Sequence, residues 1–453
     1  MNTQSIHRLA KGLLDRGLVS TAHDAEARLQ LLQVQLEIGP AEVMTFAGQA
    51  TLLTAVALAR RVFLGGVFVT GSVDVSLRAF AEPRKTLADA LSGLGARVGV
   101  SPGEVPQIYI GGDARPRSAA FAIRTVCAGW RGGIVPAHHP AVSAAEAMPV
   151  AAVVAAGLAV NEAFLAMSGD TPTAGMRSIG LSLWDPERIT WLEHDGAPPL
   201  ALLPSKLWLV GLGHLGQAYL WTLGLLPYAD PTQLELLLQD FDRTTASTWS
   251  TSILTPPSAL GLPSPIGVRK TRLMAEWAER RGFTTAICER RFGENTQRID
   301  DEPAVALCGV DNALARRALD DIGFDFVVSA GLGSGYGDFQ TIRLHTLPAE
   351  RRASDIWSDL GSAAHPIPAA YQPMLTSGQL DQCGAALLAG VAVGAPFVGA
   401  VAGALAISEI LRLLHGGRVN RLIDLDLTSL EHRIVLPQTR SFSSLNPGYV
   451  TCG

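Results

Sequence analysis

The chain has 453 residues, of which 48% are hydrophobic and 17% charged, so most of it is expected to be buried in two or three domains. The net charge of -5 excludes the basic surface of a nucleic-acid-binding protein. Five scattered cysteines without a C-x-x-C pair exclude a disulfide framework and a cysteine zinc site, and with an N-terminus that lacks signal-peptide features they predict a cytoplasmic protein without structural zinc.

Predicted helices and strands alternate along the first part of the chain. Residues 1–40 are predicted to be helical and amphipathic. From about 41 to 185, apolar strands such as 65–70 and 107–110 alternate with helices such as 86–94. This alternation predicts βαβ units and a parallel sheet.

A second alternating block follows a Pro-rich linker. The linker is predicted at 196–204, and the second block extends from 206 to about 435. We therefore predict one α/β domain at 1–200, another at 206–436, and a C-terminal tail at 437–453.

Matching segments indicate that the two blocks are copies of one another. The matches are Gly48-Gln-Ala-Thr with Gly216-Gln-Ala-Tyr, Arg84-Lys-Thr with Arg269-Lys-Thr, Gly111-Gly-Asp with Gly309-Val-Asp, and the Ala/Val-rich helices that begin at Pro149 and Pro396. The separation from Asp311 to Glu409 is twice that from Asp113 to Glu162. The second copy is therefore predicted to carry an insertion at about 340–395.

An uncharged stretch at 384–408 is long enough to cross a bilayer. It is rich in Ala, Gly and Val, contains Pro396 near its middle and is followed by Glu409. These features favour a helix buried in an α/β protein, and we predict no membrane segment.

A glycine-rich turn follows the first predicted strand of the second copy. Gly211, Gly213 and Gly216 form a G-x-G-x-x-G pattern before an apolar helix. Such glycines allow a tight turn and a close approach to a phosphate, which the helix N-terminus attracts. The first copy has Val43 and Thr45 at the first two positions, so its phosphate site is predicted to be lost.

Two carboxylates and a lysine follow this turn. Asp240 and Asp242 end the next apolar run, where an acidic residue suits a ribose hydroxyl. Lys270 opens a predicted helix and is one of only four lysines among 36 basic residues, which indicates a specific role for a compact ammonium group. A solvated lysine at a helix start is the alternative.

As an ordered set, these residues resemble the ThiF-type adenylating family, which includes ubiquitin-activating enzymes. The set is G-x-G-x-x-G at 211–216, D-x-D at 240–242, Lys270, Asp311-Asn312 after the next strand, Cys383 before an apolar run, and a closing helix at 404–417. The resemblance covers about 206–453. It implies an α/β fold of tandem Rossmann-like adenylation domains, a pseudo-dimer in one chain with mostly parallel sheets flanked by helices. The first copy resembles the inactive partner domain of two-domain activating enzymes.

The resemblance also implies an activity. Family members use ATP and Mg²⁺ to adenylate the C-terminal glycine of a small ubiquitin-like (β-grasp) protein, and many then transfer it to a cysteine. Bacterial versions imply a conjugation system against phage, in which a ubiquitin-conjugating-type enzyme is a further candidate partner.

Site residues follow by position in the motifs. The implied nucleotide-binding residues are Gly211, Gly213, Gly216, Asp240, Asp242, Lys270 and Asn312. Lys270 would face the phosphates, and Asp311 would hold Mg²⁺. Cys383 is the candidate nucleophile for a thioester, and an ordinary buried cysteine is the alternative.

One departure from the family separates the functional hypotheses. The family has an S-N-L-x-R-Q segment after D-x-D, but this chain has Thr248 and Thr251 in place of its Asn and Arg. Arg243, Arg269 or an arginine of the first half could supply the missing cation. Without one, the chain would be a catalytically weak scaffold that binds a β-grasp protein. An NAD(P)-dependent oxidoreductase is the third hypothesis, because the glycine pattern with an acidic residue also suits a dinucleotide.

Overall fold

The computed structural model describes residues 6–80, 85–112, 120–140, 147–169, 171–257, 264–358, 367–376, 378, 381–442 and 445–452. Its first sheet has seven strands in the order β3-β2-β1-β4-β5-β6-β7. These strands are β1 (Gln33–Ile38), β2 (Gly66–Thr70), β3 (Arg97–Val98), β4 (Gln107–Ile110), β5 (Ala122–Ala128), β6 (Arg131–Pro136) and β7 (Ile179–Ser182). The first five pair in parallel, and β6 and β7 join antiparallel.

The second sheet has eight strands in the order β11-β10-β9-β12-β13-β14-β15-β16. These strands are β9 (Lys206–Val210), β10 (Glu235–Gln239), β11 (Thr284–Cys288), β12 (Val305–Cys308), β13 (Phe326–Leu332), β14 (Thr341–Leu347), β15 (Asn420–Asp426) and β16 (Ile434–Pro437). Again the first five pair in parallel and the rest join antiparallel. The predicted fold class of tandem, mostly parallel α/β units is confirmed, because the second sheet repeats the strand order and direction of the first.

A small third sheet joins the linker to the tail. It pairs β8 (Leu202–Pro204) with β17 (Tyr449–Thr451) in antiparallel fashion. The C-terminal end of the predicted linker is therefore ordered by the tail.

Twelve α-helices are described. They are α1 (Arg8–Asp15), α2 (Ala22–Gln30), α3 (Phe46–Ala59), α4 (Leu87–Gly93), α5 (Pro149–Ser168), α6 (His214–Gly224), α7 (Lys270–Glu279), α8 (Ala313–Arg317), α9 (Ala353–Ile356), α10 (Gln372–Thr376), α11 (Gln382–Ala389) and α12 (Pro396–Leu414).

The prediction of helix throughout 1–40 is wrong at its end. Residues 33–38 form β1, the middle one of the five parallel strands of the first sheet. Buried Val34, Leu36 and Ile38 alternate with the polar residues between them, and this period of two suits a strand. The predicted elements at 65–70, 86–94 and 107–110 are found as β2, α4 and β4.

Helices α3, α5, α6 and α12 pack together between the two large sheets. Helices α3, α5 and α12 are apolar on nearly every side, because each packs against both a sheet and other helices. A Cβ at Gly157 of α5 would lie 2.7 Å from the Val401 side chain of α12, so glycine permits this close crossing. Across the same layer, the indole N–H of Trp221 donates to Thr54 Oγ1 at 3.0 Å. The two halves therefore share one core.

The charge-free stretch at 384–408 is divided between α11 and α12. By length and composition, α5 and α12 are the two described helices that could cross a membrane, but 83% and 89% of an apolar 18-residue stretch in each are buried within this fold. Burial against sheets and helices accounts for their apolar composition.

The segments before α5 and α12 differ in length. Residues 137–148 connect β6 to α5, whereas residues 348–395 connect β14 to α12 and contain α9, α10 and α11. Since 341–347 form a strand of the sheet, the extra residues of the second half begin after β14.

Candidate active site

The glycine turn lies between β9 and α6, at the carboxyl end of the middle one of the five parallel strands of the second sheet. Gly211 has a φ of +83°, which favours glycine. A Cβ at Gly216 would lie 2.0 Å from the carbonyl oxygen of Gly211, so glycine is needed for the helix to approach the turn. A Cβ at Gly213 would meet no described atom within 4 Å. The fold therefore explains two of the glycines, while Gly213 leaves the N-terminus of α6 open to a ligand.

The Asp240 carboxylate joins two loops of the site. Asp240 is 8% exposed, and its two oxygens accept hydrogen bonds from the backbone N–H groups of Leu212 and Asp242, each at 2.7 Å. It therefore fixes the glycine turn relative to the D-x-D loop. Asp242 is more exposed and directs its carboxylate toward Lys270.

Lys270 is the first residue of α7, and its side chain is largely covered. Its Nζ lies 2.9 Å from Asp242 Oδ2 and 4.0 Å from Asp240 Oδ2. The backbone N–H of Lys270 also donates to the Asp242 carbonyl oxygen. The predicted lysine and both predicted carboxylates thus converge beside the glycine turn.

The strand end at β12 brings Asp311 and Asn312 to the same edge. Gly309 packs against the start of α6, and Val310 lies beside Gly211. Asp311 is exposed, and the side-chain oxygen of Asn312 caps α8 by accepting from the N–H of Leu314 at 2.9 Å. Asn312 therefore has a structural role in addition to the predicted one.

Arg8 is the site residue that the sequence did not identify. It begins α1, its backbone N–H donates to Ser250 Oγ at 3.3 Å, and its Nη1 donates to the Ala392 carbonyl oxygen at 3.4 Å. Burial lowers the pKa of Arg8, and the nearby Asp311 carboxylate opposes that effect. The Arg8 guanidinium is thus near enough to Asp311, the carboxylate predicted to hold Mg²⁺, for their charges to interact.

The two arginines named as replacements for the missing cation are held by loop carbonyls. Arg243 Nη1 donates to Gly267 O at 2.7 Å, and Arg269 Nη1 donates to Phe241 O. Arg8 belongs to the third alternative, an arginine from the first half of the chain. Its location in a long-range contact explains why local spacing did not reveal it.

The segment that lacks the family Asn and Arg contacts Arg8 and the loop before α12. Thr248 Oγ1 accepts from the backbone N–H of Thr245 at 2.8 Å, so this threonine fixes its own turn. A Cβ at Gly394 would lie 3.2 Å from the methyl group of Thr251. Both threonines therefore serve loop packing.

Cys383 is the second residue of α11 and is exposed, which contradicts its alternative interpretation as a buried cysteine. The Asp381 side chain caps this helix by accepting from the N–H of Gly384 at 2.6 Å. Among the described residues no contact joins Cys383 to Lys270 or Asp311. The chain that follows does reach the site, through Ala392 and Gly394.

Cys308 is fully buried, and burial raises the pKa of its thiol.

The matching place in the first half is occupied by a carboxylate. Thr45 is the N-cap of α3, the position that Gly213 has before α6. The Thr45 Oγ1 accepts a hydrogen bond from the N–H of Gly48 at 3.0 Å. The Glu42 side chain fills the space between Gly39 and Gly111, and its Oε1 accepts from the N–H of Gly112 at 3.2 Å. A resident anion there opposes phosphate binding.

Comparison with known sequences identifies the family. Residues 33–183 match the family described as BilD N-terminal domain, and residues 203–417 match BilD C-terminal domain. A relative described as "Bacterial E1-like protein BilD", from Collimonas sp. (strain OK412), is 42% identical over 425 residues, which are 92% of this chain and 90% of that protein. The chain belongs to the BilD family of bacterial E1-like proteins. The resemblance to ubiquitin-activating-type enzymes, inferred from motifs of the second half, is confirmed and extends over both halves.

Solved structures give more distant similarities to this BilD-family chain. Escherichia coli MccB, solved with MccA-N7isoAsn, is 10% identical over 70% of this chain and 96% of its own, with a TM-score of 0.34. The E. coli tRNA N6-threonylcarbamoyladenosine dehydratase TcdA is 18% identical over 47% of this chain and 86% of its own, with a TM-score of 0.29.

Metal binding at this site would need ligands from a substrate. Within the described ranges, no three His, Cys, Asp or Glu side chains lie close enough to hold a metal ion together. Asp311 alone could complete the coordination of a cation that arrives with phosphate oxygens and water, which is the usual arrangement for Mg²⁺.

Proposed function

We propose that this chain adenylates the C-terminal carboxylate of a small ubiquitin-like protein with Mg-ATP and then transfers the acyl group to Cys383. The observation that supports this most is the convergence of an open helix N-terminus at Gly213, the cations Lys270 and Arg8, and the exposed carboxylate of Asp311 at one sheet edge. These groups suit a reaction between two anions.

Each residue has a role in this proposal. The N-terminus of α6 and Lys270 would bind the phosphates, and Asp311 would complete the coordination of Mg²⁺. Arg8 would supply the cation that Thr248 and Thr251 do not. Asp240 retains lone pairs to accept a ribose hydroxyl, Asp242 orients Lys270, and the amide nitrogen of Asn312 can donate.

The proposed chemistry has two steps. A carboxylate oxygen attacks the α-phosphorus of ATP, the bond from that phosphorus to the bridging oxygen breaks, and pyrophosphate leaves. The Cys383 thiolate then attacks the acyl carbon, AMP leaves, and the thiol proton passes to solvent. Cys383 is exposed and lies outside the nucleotide site, whereas the segment after its helix α11 contacts that site. This arrangement supports adenylation and acyl transfer as two separate steps.

We propose the cellular setting that the family resemblance implies. The first half would be the inactive member of a pseudo-dimer, which the Glu42 carboxylate supports. The reaction would take place in the cytoplasm, within a bacterial conjugation system directed against phage and with a ubiquitin-conjugating-type enzyme as a further partner.

Pyrophosphate exchange tests the first step. The full chain is incubated with ATP, Mg²⁺, labelled pyrophosphate and a β-grasp protein from the same genome that ends in a free glycine. Label should enter ATP, and it should not do so with the same β-grasp protein lacking its terminal glycine. Asp311→Ala should abolish exchange, and unchanged exchange in this variant would refute the proposal.

Two further measurements separate the alternatives. Cys383→Ala should retain exchange but lose a reducible adduct with the β-grasp protein. Calorimetry should show binding of Mg-ATP and none of NAD. Tight binding of the β-grasp protein without ATP affinity would instead indicate a scaffold.

A further inference from the structure

Arg61 is a buried arginine of the first half whose hydrogen bonds are mostly to the second half. It follows α3 and is 2% exposed. Its Nε donates to Trp249 O, and its Nη2 donates to Ile253 O and Thr255 O, all at 2.8 Å. The remaining bond, from Nη1, goes to Ala57 O in its own helix.

Carbonyl oxygens, not a carboxylate, surround this guanidinium. No described carboxylate forms an ion pair with Arg61, and burial lowers its pKa to about 9, with the charge of Arg60 adding to the effect. Burying a cation without a counter-ion is costly, whereas the fixed fork of arginine can bind several carbonyls at once. The hydrogen bonds of Arg61 therefore hold the segment 249–255 in place.

The segment that Arg61 holds carries two connections to the nucleotide site. On one side, Ser250 Oγ accepts from the N–H of Arg8, and the Trp249 ring packs edge-on against His7 at 5.3 Å. On the other side, Gln217 Oε1 accepts from the N–H of Leu254. The same Gln217 side chain donates to the carbonyl oxygen of Leu212 in the glycine turn at 3.2 Å.

The position of the second half that matches Arg61 does not carry an arginine. Gln49 of α3 matches Gln217, and it likewise donates to the Val43 carbonyl oxygen of its own turn. By the same correspondence, which pairs Gly48 with Gly216, Arg61 matches the exposed Ala229. The contact of Arg61 with the segment 249–255 therefore has no equivalent at the matching position of the second half.

We propose that Arg61 is a positioning residue by which the first half sets the nucleotide site of the second half. By fixing three carbonyls of the segment 249–255, it places Ser250 and Trp249, and through them Arg8. This inference rests on the proposed function, since it concerns the same reaction. It gives the first half a second role at the site, beside the cation that Arg8 would supply.

A matched pair of variants tests this role. Arg61→Gln removes the fork, and Arg60→Gln changes the neighbouring arginine, which makes none of these bonds. Hydrogen–deuterium exchange should rise in peptides covering 245–257 and 6–15 for Arg61→Gln, while the same peptides of Arg60→Gln match the wild type. Equal protection in both variants would overturn the proposal. If Arg61→Gln does not fold, Arg61→Lys, which retains charge with fewer donors, is measured in the same way.

Kinetics test whether the effect passes through Arg8. Pyrophosphate exchange should fall about 10- to 100-fold in Arg61→Gln, as expected for a displaced catalytic cation, and less than about twofold in Arg60→Gln. In an Arg8→Ala background, Arg61→Gln should add little further loss. A full additional loss would refute the route through Arg8. Absence of exchange in the wild type would reject the proposed function, while the deuterium measurement would still decide whether Arg61 orders the segment.

Discussion

Two glycines of the same turn are expected to respond differently to one added methyl group. In Gly216→Ala the new Cβ would lie 2.0 Å from a backbone oxygen, far inside contact distance. Such overpacking costs about 1–3 kcal/mol, and the upper end applies because backbone must move. In Gly213→Ala the methyl group would meet no described atom within 4 Å, so only the change of helix cap, about 1 kcal/mol or less, is expected.

For Mg-ATP binding, Gly213→Ala should have the larger effect of the two substitutions. A methyl group at 213 would stand at the open N-terminus of α6, where a phosphate would approach the backbone. We expect Mg-ATP affinity to fall at least tenfold, which is about 1.4 kcal/mol.

Two assays separate these effects. Because the two halves unfold as one core, each kcal/mol corresponds to about 1 °C, and thermal unfolding followed by circular dichroism should show a midpoint lower by about 3 °C for Gly216→Ala and by about 1 °C or less for Gly213→Ala. Calorimetric titration with Mg-ATP, performed well below both midpoints, should show the affinity loss in Gly213→Ala. Wild-type affinity in Gly213→Ala would refute the assignment of this glycine to the ligand, and an unchanged midpoint in Gly216→Ala would refute the packing argument.

Three other predictions follow from single contacts. Arg8→Ala should lower pyrophosphate exchange at least about 100-fold, because it removes a positive charge at the site. The unfolding midpoint should change little, because only one weak side-chain hydrogen bond is lost. Exchange at the wild-type rate would exclude Arg8 from the mechanism. Burial lowers the pKa of His214 from 6.5 to about 4, so this group should lower the free energy of unfolding by roughly 3 kcal/mol as pH drops from 6.5 toward 4. If the stability of His214→Gln depended on pH as steeply as that of the wild type, this expectation would be wrong. Thr54→Val should cost about 1–3 kcal/mol in urea unfolding because it leaves the buried Trp221 N–H without its acceptor, whereas the matched Thr222→Val removes only a bond within its own helix and should cost less.

The repeat shows how far local patterns predict tertiary structure. Matching segments around Gly48 and Gly216 predicted two related units, and the two sheets share one strand order. Parallel strands end at the same sheet edge, and this brings together the glycine turn, Asp240, Asp242 and Lys270. By contrast, the sequence does not distinguish β1 from the amphipathic helices before it, because its alternation covers only three buried apolar residues.

The α/β class, the duplication and the half that retains an open glycine turn can be predicted from residue patterns. These features depend on residue periodicity and on motifs whose members are close in the chain or at the ends of neighbouring strands. Tertiary structure alone decided that Arg8 lies near Asp311, that Glu42 fills the first-half site, and that Arg61 holds the segment 249–255. In the cases of Arg8 and Arg61 the partners are far apart in sequence and meet because the central helices pack the two halves into one core. In the case of Glu42, the carboxylate turns back into its own loop, a side-chain orientation that no spacing reveals.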